Sequence, residues 1–205
     1  YRYPLNLYYI KNMKTNDELL CLADELLTIG CKTSKHPFHQ FNIASFNGPH
    51  IEQRNVVLRR WVLKRRTIIF HSDIRAPKIS QFKANPNGSI LFYSKEDKLQ
   101  LRFKCFVHVH FNDRLSHFLY SKTTESQRRC YGFSKPPSIE IPYPTKEIYL
   151  EKSDEISAVD PFENFAACVC NFNELEILYL NHQGHVRTKY TWDLKGNLTS
   201  TNIIA

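Results

Sequence analysis

Residues 68–94 read IIFHSDIRAPKISQFKANPNGSILFYS, and the way this stretch divides decides the fold. Ile68 to Phe70 is an apolar, β-branched and aromatic run that predicts a strand reaching Ser72. Arg75, Pro77 and Lys78 form a turn, and Ile79 with Phe82 then shows the spacing of one helical face before Asn85-Pro86 stops it. SILFYS at 89–94 is strand-like again. Two cations, Arg75 and Lys78, therefore stand where a helix begins, although the dipole and unsatisfied N–H groups there favour carboxylates. An anion supplied from outside the chain accounts for the inversion. Pro77 suits the first helical position, where its missing N–H costs nothing.

Outward from this stretch the pattern is mostly β. FNIASF (41–46), NVVLRRWVL (55–63) and TIIFHS (67–72) read as strands, the last two joined by a basic turn at Lys64 to Arg66. KLQLRFKCFVHVHF (98–111), after a turn at Lys95 to Asp97, is the longest strand pattern, and DRLSHFLYS (113–121) is a short helix. Further strands are expected at 165–172, 175–180, 186–193 and 198–203, with hairpin turns at Gln183-Gly184 and Lys195-Gly196. KTNDELLCLADELLTI (14–29) places Leu19, Leu22, Ala23, Leu26 and Leu27 on one stripe behind a Thr15 or Asn16 cap, which predicts an amphipathic helix ended by Gly30. Between Thr123 and Pro161, Pro136, Pro137, Pro142 and Pro144 break regularity, and TKEIYLEKS offers one more helix. About eight short strands with few helices predict a mainly β barrel with peripheral helices, not a βαβ fold. No repeat or long linker divides the chain. The expectation is one domain over 1–205, with residues 1–13 as an N-terminal extension ahead of the helix.

Composition narrows the class. At 42% hydrophobic and 13% aromatic residues the chain can bury a real core, and disorder is not indicated. No run approaches the roughly 18 apolar residues of a membrane span, and YRYPLNLYYIKN at the start lacks a secretory layout, so the expected location is cytoplasmic. The six cysteines are scattered without a C-x-x-C pair, so free buried thiols are expected. The net charge of +8 is spread along the chain, apart from LKRR at 63–66, and suits a solvated surface plus an anionic ligand better than a nucleic-acid stripe.

Several chemistries can be weighed directly. His108 and His110 share a strand face, with Cys105 nearby and His36 and His39 upstream, but Cys105 and His108 point to opposite faces and no third ligand is fixed, so no metal is expected. Cys168 and Cys170 lie in an apolar strand where a same-face pair reads as core packing rather than a catalytic thiol. Six glycines include no dinucleotide or P-loop pattern, so side chains must hold any phosphate. Arg54 and Arg59 flank RNVVLR, Arg75 and Lys78 flank Pro77, and Gln100 shares a face with Arg102. A phosphate needs two or three charge-assisted partners and oriented N–H donors, which these could supply; a charged barrel rim would look similar.

Taken in order, RNVVLRRW, the 68–94 stretch, KLQLRFKC, SQRRCYGFSKPPS and PFENFAACVCNFNELEILYLNHQGHVRTKY resemble the pyridoxamine 5′-phosphate oxidase-like family of FMN-binding split barrels, in a branch related to the true oxidase. The resemblance spans residues 40–205. It implies a homodimer with FMN at the subunit interface. Arg54 and Lys78 would contact the phosphate, with Arg75 and Ser72 assisting after His71. Asn55, Val56, Val57 and Leu58 would run beside the isoalloxazine ring, Gln100 would hydrogen-bond it, and Arg59 would lie near ring and substrate. Phe162 and Lys189 replace an aromatic residue and an arginine that border FMN in the oxidase.

Departures bear on the substrate. Where the oxidase presents tyrosine and arginine to pyridoxal phosphate, this chain has Phe118 and Lys122; Ser126 is kept, and an arginine and histidine near the C-terminus align with His185 and Arg187. Loss of a phenol, and an ammonium in place of a planar guanidinium, weaken recognition of a phosphate monoester. The resemblance thus implies an FMN-dependent oxidoreductase acting on another small molecule, with no catalytic side chain assigned. A non-enzymatic flavin carrier or sensor is the alternative. A basic nucleic-acid-binding barrel with Phe103, Phe106 and Phe111 as stacking platforms is the more remote third.

Overall fold

Thr15 opens the first helix with a capping box: its hydroxyl accepts the Glu18 N–H while the Glu18 carboxylate accepts the Thr15 N–H. The computed structural model describes residues 15–141, 159–182 and 184–205. The extension 1–13, the segment TKEIYLEKS and Gln183 of the expected turn lie outside these residues. Helix α1 (Asn16–Lys32) buries Leu19, Leu22, Ala23, Leu26 and Leu27, the stripe read from sequence. Gly30 does not end it. The helix runs on to Lys32, and Gly30 is where it lies closest to the Pro37–His39 turn: a Cβ there would stand 2.6 Å from the Phe38 carbonyl oxygen.

The strands are β1 (Gln40–Asn47), β2 (His50–Val57), β3 (Arg60–Val62), β4 (Thr67–Asp73), β5 (Asn87–Ser94), β6 (Leu99–His110), β7 (Phe165–Tyr179), β8 (Val186–Trp192) and β9 (Leu198–Asn202). They form one antiparallel sheet in the order β2-β1-β5-β6-β7-β4-β3, with β8 on β7 and β9 on β8. Helices α2 (Pro77–Ala84), α3 (Arg114–Ser121) and α4 (Glu125–Arg129) are peripheral. This is the mainly β split barrel expected from the sequence. Its core gathers Phe41, Phe70, Phe92, Phe103 and Phe172 with Ile43, Ile90, Leu175 and Tyr190, each no more than 2% exposed. Phe103 is thus a core residue and offers no stacking platform to a nucleic acid.

Two strand assignments change. NVVLRRWVL is not one strand: β2 ends at Val57, and β3 pairs with β4 instead of β1. The break at Leu58 and Arg59 lets the chain pass from one edge of the sheet to the other, and Leu58 is tied down by its N–H to the His39 carbonyl at 2.8 Å. At its other end β2 begins at His50, closing a hairpin through Gly48 at φ +58°. The expected strands 165–172 and 175–180 are a single strand, β7. Its polar stretch Asn171 to Glu174 looks like a turn because there the strand exchanges β4 for β8 as neighbour, and its register against β6 shifts at Lys104/Cys105. The six cysteines are unpaired, and Cys105, Cys168 and Cys170 are buried; Cys21 and Cys130 are exposed. Among the described residues no helix is long and apolar enough to cross a membrane.

Candidate functional site

Strand register sorts the candidate residues. A row of facing positions runs Arg54, Ile43, Ile90, Phe103, Leu175 across five strands, and its apolar members are core residues, so Arg54 ends that row on the inward face at the sheet edge. Its Nη1 donates to Ser45 Oγ, and its Nη2 to Glu52 Oε2 at 3.1 Å and Gln81 Oε1 at 3.0 Å. Gln81, from α2, also donates to Glu52 Oε2 at 2.8 Å and accepts from Ser45 Oγ at 2.6 Å. Sequence reading missed Ser45, Glu52 and Gln81. One signal was present: Ser45 is a polar residue on the Phe41, Ile43 face of its strand.

Lys78 stands in the first turn of α2 with Nζ 3.4 Å from the hydroxyl of buried Ser72. Burial first, and then the charge of Arg54, pushes the Lys78 ammonium below its ordinary pKa; Cys168 and Asp73 act in the opposite sense. Arg54 is lowered by burial too, against Glu52. The α2 N-terminus has Pro77 at its start, no capping side chain and no acidic residue in its first turn. Two partly buried cations that disfavour each other beside uncapped N–H groups fit a phosphate dianion, which would relieve both conditions.

Arg75 is otherwise engaged. Its Nε and Nη2 donate to Asp73 Oδ1 and Oδ2 at 3.0 and 2.7 Å, and its Nη groups reach the carbonyls of Ser134 and Phe133 at 3.0 and 2.9 Å. Four of its five N–H groups are taken by protein acceptors. Asn164 joins the same knot, donating to the Tyr131 carbonyl and accepting from the Ile74 N–H, each at 2.8 Å. Arg75 therefore ties the SQRRCYGFSKPPS segment to the turn that carries Ser72 and Lys78.

On the other face of β4, His71 lies edge-on to the Phe165 ring at 4.8 Å. Arg59, whose N–H donates to the Ile69 carbonyl at 2.8 Å, is close enough that its charge, after burial, helps hold His71 far below its ordinary pKa, at about 3. Neither nitrogen of His71, nor Nε of Arg59, has a hydrogen-bond partner, although all three are buried. Phe162, in the Pro161–Asn164 turn, packs on His117 and Tyr120 with ring centres 4.2 and 5.1 Å away. Lys122 ends α3 with its ammonium 5.6 Å from the Phe118 ring centre, and Ser126 lies in α4; both are exposed. An open cleft lined by Tyr120, Arg128, Gly132, Asp160 and Pro161 lies between α4 and the Pro161 turn.

Most of the remaining candidates lie on the outward face of the sheet. Asn55, Asn42, Leu91, Arg102, Glu176 and Lys189 form one row, and Tyr93, Gln100, Leu178 and Arg187 another. Glu176 Oε1 accepts from Arg102 at 3.1 Å and Arg187 at 2.8 Å, while Arg187 Nε is buried without a partner. Val57 shares this outward side, whereas Val56 and Leu58 face the core. Within one chain the structure therefore brings Arg54, Ser72 and Lys78 together, and Arg59 with His71. It sets Gln100, Arg187 and Lys189 on the opposite side of the sheet from Arg54.

Residues 24–111 match the family model for the pyridoxamine 5′-phosphate oxidase FMN-binding domain. Among solved structures, a pyridoxamine 5′-phosphate oxidase-related, FMN-binding protein from Nostoc punctiforme superposes with a TM-score of 0.70 at 18% identity, covering 90% of this chain and 95% of its own. PhzG from Burkholderia lata, in complex with tetrahydrophenazine-1-carboxylic acid, gives 0.70 at 13% identity over 100% and 98% of the two chains. ChuZ from Campylobacter jejuni gives 0.54 at 12% identity over 96% and 67%. No curated protein matches in sequence.

Proposed function

From a chain with the split-barrel fold and the FMN-binding domain match of the pyridoxamine 5′-phosphate oxidase-like family, we propose an FMN-binding flavoprotein that works as a homodimer and oxidises or reduces a small molecule. The observation that carries this reading is Lys78 in the uncapped first turn of α2, 3.4 Å from the Ser72 hydroxyl, with Arg54 bonded to Gln81 one turn further along the same helix. Those two side chains, with Ser72, hold the phosphate. Glu52 and Gln81 fix the direction of the Arg54 guanidinium, and Arg75 holds the covering segment against the same turn. A bound flavin supplies the hydride chemistry, and the protein supplies position, exclusion of water and hydrogen bonds to the ring.

The separation of Gln100, Lys189 and Arg187 from Arg54 supports a site completed by a second copy: residues on opposite sides of one sheet can meet one ligand only across an interface. The substrate is proposed to differ from pyridoxine phosphate, since Phe118 lacks a hydroxyl and Lys122 lacks the guanidinium geometry for a phosphate monoester. A non-enzymatic carrier would use the same phosphate cations, and the proposed location is the cytoplasm. Titration of the purified protein with FMN and riboflavin tests the reading. Preference for FMN that disappears in K78A supports it, and equal or absent binding of both contradicts it. Bleaching of bound flavin by NADPH, amines or planar carboxylic acids, followed by reoxidation in air, separates enzyme from carrier.

A further inference from the structure

Two turns meet at one end of the barrel. The β3–β4 turn carries Lys64, Arg65 and Arg66, and the β8–β9 turn carries Leu194 and Lys195. They are neighbours because β7 exchanges β4 for β8 between them: Asn171 pairs with Thr67 at the start of β4, and Glu174 with Thr191 near the end of β8. Arg66 bridges the two turns, its Nη1 donating to the Asp193 carbonyl at 3.5 Å while its own carbonyl accepts the Phe172 N–H at 3.0 Å. Four cations therefore share one small surface, and among the described residues none of the four is in an ion pair. The acidic residues beside them are engaged elsewhere. Glu174 pairs with Lys104 at 2.8 Å, and Asp193 accepts the N–H groups of Lys195 and Asn197 inside its own turn, each at 2.8 Å. Leu194 stands next to these cations fully exposed, at 102%. A lone exposed leucine is ordinary on a protein surface. At a hairpin tip beside unpaired cations it suits the headgroup region of an anionic bilayer, where lysine and arginine meet the lipid charges and the apolar tip leaves water. A nucleic-acid backbone would use the cations and offer the leucine nothing.

We propose that this end of the barrel, with Lys64, Arg65, Arg66, Lys195 and Leu194, is a peripheral docking surface for an anionic lipid bilayer. Thr67, where the β3–β4 turn ends, and Ser72 of the phosphate site are separated along β4 by about 17 Å at the rise of a strand. The docking surface is therefore distinct from that site and does not depend on the FMN reading.

Flotation of the full chain with phosphatidylcholine vesicles, with and without about one quarter phosphatidylserine, tests the proposal on the wild type, K64Q/R65Q and L194S. The three substituted side chains are exposed, so the fold is kept. The wild-type chain is expected to float with the anionic vesicles only and to be released by salt. K64Q/R65Q should bind them at least tenfold more weakly, at about fivefold per cation. L194S should bind them several-fold more weakly at the same salt, while its binding to duplex DNA matches that of the wild type. Absence of wild-type binding to the anionic vesicles, or equal binding to the neutral ones, overturns the proposal. Loss of lipid binding in K64Q/R65Q but not in L194S overturns it too, and tight binding of duplex DNA alongside that result would assign the cations to a nucleic acid.

Discussion

Arg75 is clamped to Asp73 by two hydrogen bonds, Nε to Oδ1 at 3.0 Å and Nη2 to Oδ2 at 2.7 Å, while its remaining contacts hold the carbonyls of Phe133 and Ser134. The Asp73 side chain is 9% exposed, so removing Arg75 leaves a carboxylate without its counter-charge. R75A should destabilise the fold by about 2–4 kcal/mol in chemical denaturation. Its effect on FMN affinity should be smaller than that of K78A, because little of the guanidinium is left to meet a phosphate. A large loss of FMN affinity with unchanged stability would return Arg75 to the phosphate.

Lys78 and Arg54 should separate in the opposite way. Lys78 has one weak hydroxyl contact, and burial and Arg54 both work against its charge. K78A should weaken FMN binding by about 1.5–3 kcal/mol, leave riboflavin binding unchanged and cost the ligand-free fold nothing. R54A removes the donor shared by Ser45, Glu52 and Gln81. It should lower both FMN affinity and ligand-free stability. Calorimetric titration and thermal melts on the same two variants distinguish the patterns.

His71 gives the fold an acid limit. Burial, and then Arg59, holds it at about 3, whereas an unfolded histidine titrates near 6.5. Above 6.5 both states are neutral and the residue contributes no pH dependence. Below it the unfolded chain takes up a proton that the folded chain refuses until about pH 3, so stability falls with falling pH across that window, by up to about 1.4 kcal/mol per unit. H71F should flatten the profile between these limits. Parallel denaturation curves for the two proteins at pH 7 and pH 4.5 would contradict the assignment.

Gly30 tests the seat of α1. Alanine is the better helix former by about 1 kcal/mol, yet its Cβ would meet the Phe38 carbonyl carbon and oxygen at 2.7 and 2.6 Å. G30A should therefore destabilise by about 1–3 kcal/mol, the usual result of overpacking. A raised melting temperature would show that the helix moves freely off the Pro37–His39 turn.

Much of this was legible in the sequence because it is local. The stripe of α1, the Pro77 start and Asn85 stop of α2, and the alternation in β6 follow from neighbouring residues alone. What the sequence concealed is long-range. NVVLRRWVL looks continuous because nothing in it announces that β3 will pair with β4, and the polar middle of β7 resembles a turn because it marks a change of neighbour. Motifs mark the candidate ligand residues, but which face each occupies depends on register. The same holds for Arg75, whose type suggests a phosphate partner and whose contacts go to Asp73.

The most direct measurement is identification and quantification of the small molecule released by heat from the purified protein, backed by adding FMN to stripped protein. The account predicts FMN in stoichiometric amount, rebinding tightly to the wild-type chain and weakly to K78A. No flavin released and no saturable binding of added FMN would contradict it.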